Sequence, residues 1–143
     1  SPKRLFELAA EGMFSIICRI ENVKPELKKE IVLSDKLPSG LDDLLFIWLE
    51  KLIYIHEVEK LLLSSFKINE MINISQEIKK TGLFFKNHKK SEIELIKAEA
   101  FGKVIDLKKN EILTSIKAPT YHTLQAGRDF KTGIWKARVI FDI

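Results

Sequence analysis

A single cysteine, Cys18, excludes a disulfide framework and every metal motif built on paired cysteines. Its place on the apolar side of a helical stretch makes it a small core residue and points to a reducing, cytoplasmic setting. Long hydrophobic runs are also missing. Stretches such as Leu61–Leu63 and Leu83–Phe85 are far too short to cross a membrane, and no signal peptide is visible. No glycine-rich phosphate loop and no His-Glu-x-x-His helix occurs. His56, His88 and His122 stand apart in sequence from one another and from a thiol, which makes each a poor zinc ligand. Charge of one sign is scarce too. The net charge of +4 comes from 24 Lys plus Arg against 20 Asp plus Glu, a mild excess that permits an RNA or acidic partner without requiring one.

What is present fits one globular domain over residues 1–143, 45% hydrophobic and 31% charged. Ser1 and Pro2 suit a helix start, and Leu5, Leu8, Ala9, Gly12, Met13, Ile16 and Ile17 follow at helical spacing. Pro25 follows a polar turn and bars a return to helix, and Ile31–Leu33 reads as a short strand. A second helix carries the clearest stripe: Leu41, Leu44, Leu45, Trp48, Leu49, Leu52 and Ile53. Ser39 with Asp42 resembles a capping box, and Asp43 adds charge that favours the helix dipole. Trp48 is expected in the core.

Strands are expected over Leu61–Ile68, Ile93–Phe101, Ile112–Leu124 and Ile134–Phe141, with a bulge or bend at Gly102. The lysine-rich stretch 73–91 reads as a hairpin excursion or flexible insertion. Together these predict an α+β domain: a two-layer sandwich with two amphipathic helices packed on one face of a mixed, mostly antiparallel sheet.

Three constellations offer chemistry. The last strand stops at Phe141-Asp142-Ile143, placing Asp142 and a terminal carboxylate at a sheet end, where they can hold a cation. Glu57 and Glu59 join them if the second helix ends nearby, giving a hard-cation site for Ca²⁺, Mg²⁺ or Mn²⁺. Lys117, Thr120, Tyr121 and His122 sit on the preceding strand, where Tyr121 and His122 as acid and base define a hydrolase or isomerase reading. Lys79, Lys80, Lys86, Lys89 and Lys90 define another, a basic RNA-binding module.

Four segments in order resemble the archease family. They are Leu5-Phe6-Glu7-Leu8-Ala9-Ala10-Glu11-Gly12-Met13-Phe14, then Asp42-Asp43-Leu44-Leu45-Phe46-Ile47-Trp48-Leu49-Glu50, then Lys117-Ala118 with Thr120-Tyr121-His122, and finally Val139-Ile140-Phe141-Asp142-Ile143. The resemblance implies a small non-enzymatic accessory protein of the RtcB-type RNA ligase, which joins RNA ends in tRNA splicing with GTP and Mn²⁺. It implies promotion of the ligase's guanylylation and of its multiple turnover, with tRNA met through the ligase. It also implies a divalent metal held by acidic residues near the C-terminus. On this chain Asp142 is the metal ligand it implies and Lys117 the partner-activating residue, with Thr120, Tyr121, His122 and Glu57 as site neighbours. The family's opening His-Thr-Ala-Asp strand has no counterpart in this sequence. Pro119 stands where an aliphatic residue is usual, Asn110 where a histidine is frequent and Glu57 where an aspartate is common.

Overall fold

The computed structural model describes residues 1–81 and 91–143. Helix α1 (Pro2–Ile17) starts as expected: the Ser1 hydroxyl accepts from the Arg4 N–H, and Pro2 occupies the first turn, where a missing donor costs nothing. Its face is rotated from the expected stripe. Phe6, Ala10, Met13, Phe14 and Ile17 are fully buried, while Leu8 and Ile16 remain 48% and 43% exposed. Cys18 caps the helix end and is buried.

Strand β1 (Leu27–Asp35) follows, then α2 (Leu41–Glu59), whose stripe from Leu44 to Ile53 lies in the core as its spacing predicted. The Trp48 indole N–H donates to the Phe6 carbonyl at 3.1 Å, locking α2 onto α1. At the α2 start the capping partner is Asp43 rather than Asp42. Asp43 accepts from the Ser39 backbone N–H at 3.2 Å and from its hydroxyl at 3.4 Å, one residue further along than the capping box places it. Lys60, in the left-handed conformation at φ 57°, ends α2 and turns the chain directly into β2 (Leu61–Met71).

Strand β3 (Ile93–Val104) lies between β1 and β2 and is antiparallel to both, so β1 and β2 run parallel to each other on either side of it. The register slips between Leu63 and Ser65, directly opposite Gly102, which bears out the bulge expected there. The final strands β4 (Ala118–Arg128) and β5 (Trp135–Asp142) pair antiparallel in a second sheet of their own. The domain is α+β, as predicted, with every strand pairing antiparallel among the described residues. The strands divide into two sheets, and α1 and α2 each pack against both.

Two local expectations change. The strand expected from Ile112 begins only at Ala118, because the Leu113 and Thr114 N–H groups turn back to the Ile17 carbonyl at the end of α1. The described part of the lysine-rich stretch contains a helix, α3 (Ile74–Thr81), instead of a hairpin, with the Asn73 side chain accepting from the Gln76 N–H. Gly82-Leu83-Phe84-Phe85, Lys86, His88, Lys89 and Lys90 lie outside the described residues. None of the helices among the described residues is long and apolar enough to cross a membrane.

Candidate functional site

Strands β4 and β5 carry most of the residues singled out from sequence. At their shared end the Lys117 N–H donates to the Asp142 carbonyl at 2.8 Å, and Ala118 stands opposite Asp142 in the register. Lys117 and Asp142 are both exposed. One residue with an ammonium group and one with a carboxylate are therefore joined through their backbones on open surface. Thr120 pairs with Ile140, and its hydroxyl oxygen is buried with no hydrogen-bond partner among the described residues. It lies diagonal to Asp142 on the same face, since side chains two apart on a strand share a face.

Past Thr120 the ladder breaks, resuming only at Gln125 opposite Arg138. The residues between form a bulge in which Thr123 takes a positive φ of 51°. Pro119, with no N–H to give the ladder, sits next to the break. The bulge turns Tyr121 toward the start of α2. Its hydroxyl donates to an Asp43 carboxylate oxygen at 3.2 Å, and its ring stacks on Phe46 with centroids 4.0 Å apart. Burial of the phenol raises its pKa above the ordinary value, and the Asp43 carboxylate adds to that rise. On the far side of the bulge, the Ala126 N–H donates to Asp42 at 2.6 Å. The two adjacent aspartates of α2 thus hold both flanks of the β4 bulge. Sequence reasoning gave Asp42 only a capping role and Asp43 only a charge that favours the helix dipole. Their usable signal was that two carboxylates in one helix turn exceed what one cap requires.

The expected partners of Tyr121 do not gather around it. Its hydroxyl is engaged by Asp43 in the first turn of α2, whereas Glu57 lies in the last, about 21 Å further along by helix rise. Glu57 is therefore not a neighbour of Tyr121. His122 is exposed, which removes the deep pocket an acid–base pair with Tyr121 needs. Glu59 pairs with Lys29 at 2.8 Å and does not join Asp142. Among the described residues no three His, Cys, Asp or Glu side chains gather closely enough to hold a metal ion. The carboxylate convergence anticipated around Asp142 is absent from that set. His56, by contrast, is a core residue. Its ring is buried, with Nδ1 2.8 Å from the Leu61 carbonyl and an edge-on contact to Phe14. Lys79 and Lys80 are exposed on the last turn of α3.

With this geometry in place, comparison with known proteins is informative. The sequence profile of the Archease protein family matches residues 1–143. The chain belongs to the archease family. It is 33% identical to the protein archease of Methanosarcina barkeri over 99% of this chain and 82% of that one. It is 29% identical to the protein archease of Pyrococcus abyssi, over 100% and 86% respectively. The solution structure of Methanobacterium thermoautotrophicum protein 1598 matches the fold with a TM-score of 0.67 at 22% identity, covering 100% of this chain and 86% of that one. At the level of the archease family, this membership supports an accessory role in RNA ligation and tRNA splicing.

Proposed function

We propose that this chain is a non-enzymatic, cytoplasmic accessory factor that promotes guanylylation and multiple turnover of an RtcB-type RNA ligase in tRNA splicing. The observation that carries the reading is the junction of Lys117 and Asp142: an exposed ammonium and an exposed carboxylate held together by the 2.8 Å backbone bond at the end of the β4–β5 sheet. Nucleotidyl transfer depends mainly on positioning and on neutralising phosphate charge. A lysine fixed at a rigid sheet end presents such a charge to a partner's nucleotide site without doing covalent chemistry itself.

A divalent cation, Ca²⁺, Mg²⁺ or Mn²⁺, belongs to the same proposal through Asp142. The donor set limits it. Asp142 supplies one carboxylate, at most two oxygen ligands, and such cations take six or more, so the described residues do not by themselves complete a site.

The test is guanylylation of the cognate ligase with and without this protein. Faster nucleotide transfer and repeated turnover are expected, and Lys117→Ala or Asp142→Ala should abolish both while leaving the melting temperature unchanged. A folded protein that gives no acceleration would remove the proposal. A large fall in melting temperature in Asp142→Ala would assign that residue a structural role instead.

A further inference from the structure

We propose that the β4–β5 hairpin binds single-stranded RNA directly, through a tip and an outer face distant from the Lys117–Asp142 junction. From Arg128 to Ile140 the hairpin carries Arg128, Lys131, Lys136 and Arg138 against one carboxylate, Asp129. Four cations against one carboxylate make a formal +3 within thirteen residues, of +4 for the whole chain. Pairing sets these cations apart from others. In the three-stranded sheet Lys28, Lys29, Lys97 and Lys103 each have a carboxylate within 4.0 Å. Among the described residues none of the four hairpin cations has one. Asp129 is engaged by the turn itself, where its Oδ1 accepts from the Lys131 N–H at 2.8 Å and the Thr132 N–H at 3.4 Å.

Strand alternation decides where two of the cations stand. Trp135, Val139 and Phe141 pack on the core, so Lys136 and Arg138 lie on the opposite face of β5, and both are exposed. They are two residues apart, roughly 6.7 Å by strand rise, a step that successive phosphates of an extended strand can match. Lys131 and Arg128 continue the charge around the tip. The Lys117–Asp142 junction lies at the other end of the ribbon, about 23 Å from Trp135 by strand rise.

At that tip Phe130 is 100% exposed. The turn beneath it is closed by its own hydrogen bonds. The Gly133 N–H donates to the Asp129 carbonyl at 2.7 Å, and Arg128 Nε donates to the Gly133 carbonyl at 3.3 Å. The Ile134 N–H donates to the Thr132 hydroxyl at 3.3 Å, and Gly133 supplies the left-handed φ of 72°. A ring held clear of the core by such a turn adds nothing to the fold. Flanked by Arg128 and Lys131, it offers a base a stacking plane with cations beside it for the phosphates. Bases in a duplex are already stacked on one another, so a single strand is the ligand that fits. A lipid surface needs a broader apolar face than Phe130 and Ile134 present. An acidic protein segment needs the charge but not the ring. The accessory-factor reading enters only in making RNA the nucleic acid at hand.

Fluorescence anisotropy of a short labelled oligouridylate, titrated with the intact chain at several salt concentrations, tests this without any ligase. A failed binding series therefore leaves the accessory-factor reading standing, and the two fail separately. Binding is expected, with log K falling against log salt at a slope of about −3, near 0.7 for each of four phosphates neutralised. Phe130→Ala should weaken binding about tenfold and leave the slope unchanged, because it removes a stack and no charge. Lys136→Ala and Arg138→Ala should each make the slope shallower by about 0.7. All three side chains are exposed, so thermal melts should match the parent's. No binding at low salt overturns the proposal. So does binding indifferent to Phe130→Ala, or binding lost instead in Lys79→Glu with Lys80→Glu on α3. Displacement of the RNA by polyglutamate of equal charge, or preference for phosphatidylserine vesicles, overturns it by assigning the hairpin to an acidic protein or to lipid.

Discussion

Tyr121 and Asp43, 78 residues apart in sequence, are joined by a 3.2 Å hydrogen bond from phenol to carboxylate. With the Tyr121 ring stacked on Phe46, this bond fastens the β4 bulge to the first turn of α2. Tyr121→Phe keeps the stack and loses the bond, and should cost about 0.5–1.5 kcal/mol in urea unfolding. Tyr121→Ala loses both and should cost more. The bond also gives stability a pH dependence. The phenol's pKa is raised in the fold, so the folded state holds this proton more tightly than the unfolded chain does. Its contribution is complete below the unfolded value near 10 and declines as pH rises through the folded one. Tyr121→Phe should flatten that alkaline decline. An unchanged alkaline limb in the variant would disprove the linkage.

Trp48 does for the two long helices what Tyr121 does for the bulge. Its indole is completely buried, and its N–H reaches the Phe6 carbonyl across the α1–α2 contact. Trp48→Phe fills most of the volume but loses the bond and leaves a small void. A loss of about 1–3 kcal/mol is expected, read as a lower denaturation midpoint with unchanged slope. A change in slope would mean that the helices had separated rather than loosened.

How much of this was legible depended on whether a residue's partner was local. The α2 stripe from Leu44 to Ile53 was readable because burial on one helix face follows from 3.6-residue spacing alone. Ser1 at the start of α1 was readable because its partner, Arg4, lies three residues away. Leu8 and Ile16 misled for the opposite reason. They match the helical period, but only tertiary placement decided that Phe6, Ala10 and Phe14 would face the core instead. The late start of β4 was equally hidden, since the donors of Leu113 and Thr114 are taken by Ile17, nearly a hundred residues upstream. At the candidate site, strand pairing brought Lys117 to Asp142, which two neighbouring terminal strands could suggest. The convergence of Glu57 and Glu59 on Asp142, which the described residues do not show, was not legible because sequence says where a helix ends but not which strand end it meets.

Cys18 provides a chemical check on the packing. Burial pushes its thiol up to about 11, with the Glu111 and Glu21 carboxylates adding to the rise, so almost no thiolate exists near neutrality. Its Sγ–H also donates to the Phe14 carbonyl at 3.3 Å. Labelling by a thiol reagent at pH 8 should be very slow in the native protein and immediate in denaturant. Fast native labelling would show that the end of α1 opens readily.

Gly102 makes the sharpest demand on a single atom. It stands in β3 between Leu27 of β1 and Leu63 of β2, at the point where the β2 register slips. A Cβ built there would lie 1.9 Å from the Leu62 carbonyl oxygen and 2.8 Å from the Leu63 Cα. Both are backbone atoms of the neighbouring strand, so no rotamer change relieves the contact. Nor does the requirement come from φ, because among the described glycines the positive value belongs to Gly133. The strands must part or the bulge must move, and moving it by one residue would swap the buried and exposed faces of β2. Gly102→Ala should therefore destabilise the fold by about 3 kcal/mol or more, beyond the usual cost of overpacking. Gly12→Ala is the natural control, since a Cβ there meets nothing within 4 Å and α1 gains helix propensity. Thermal melts of the two variants should move in opposite directions, and a Gly102→Ala protein as stable as the parent would show that β2 and β3 do not meet in this register.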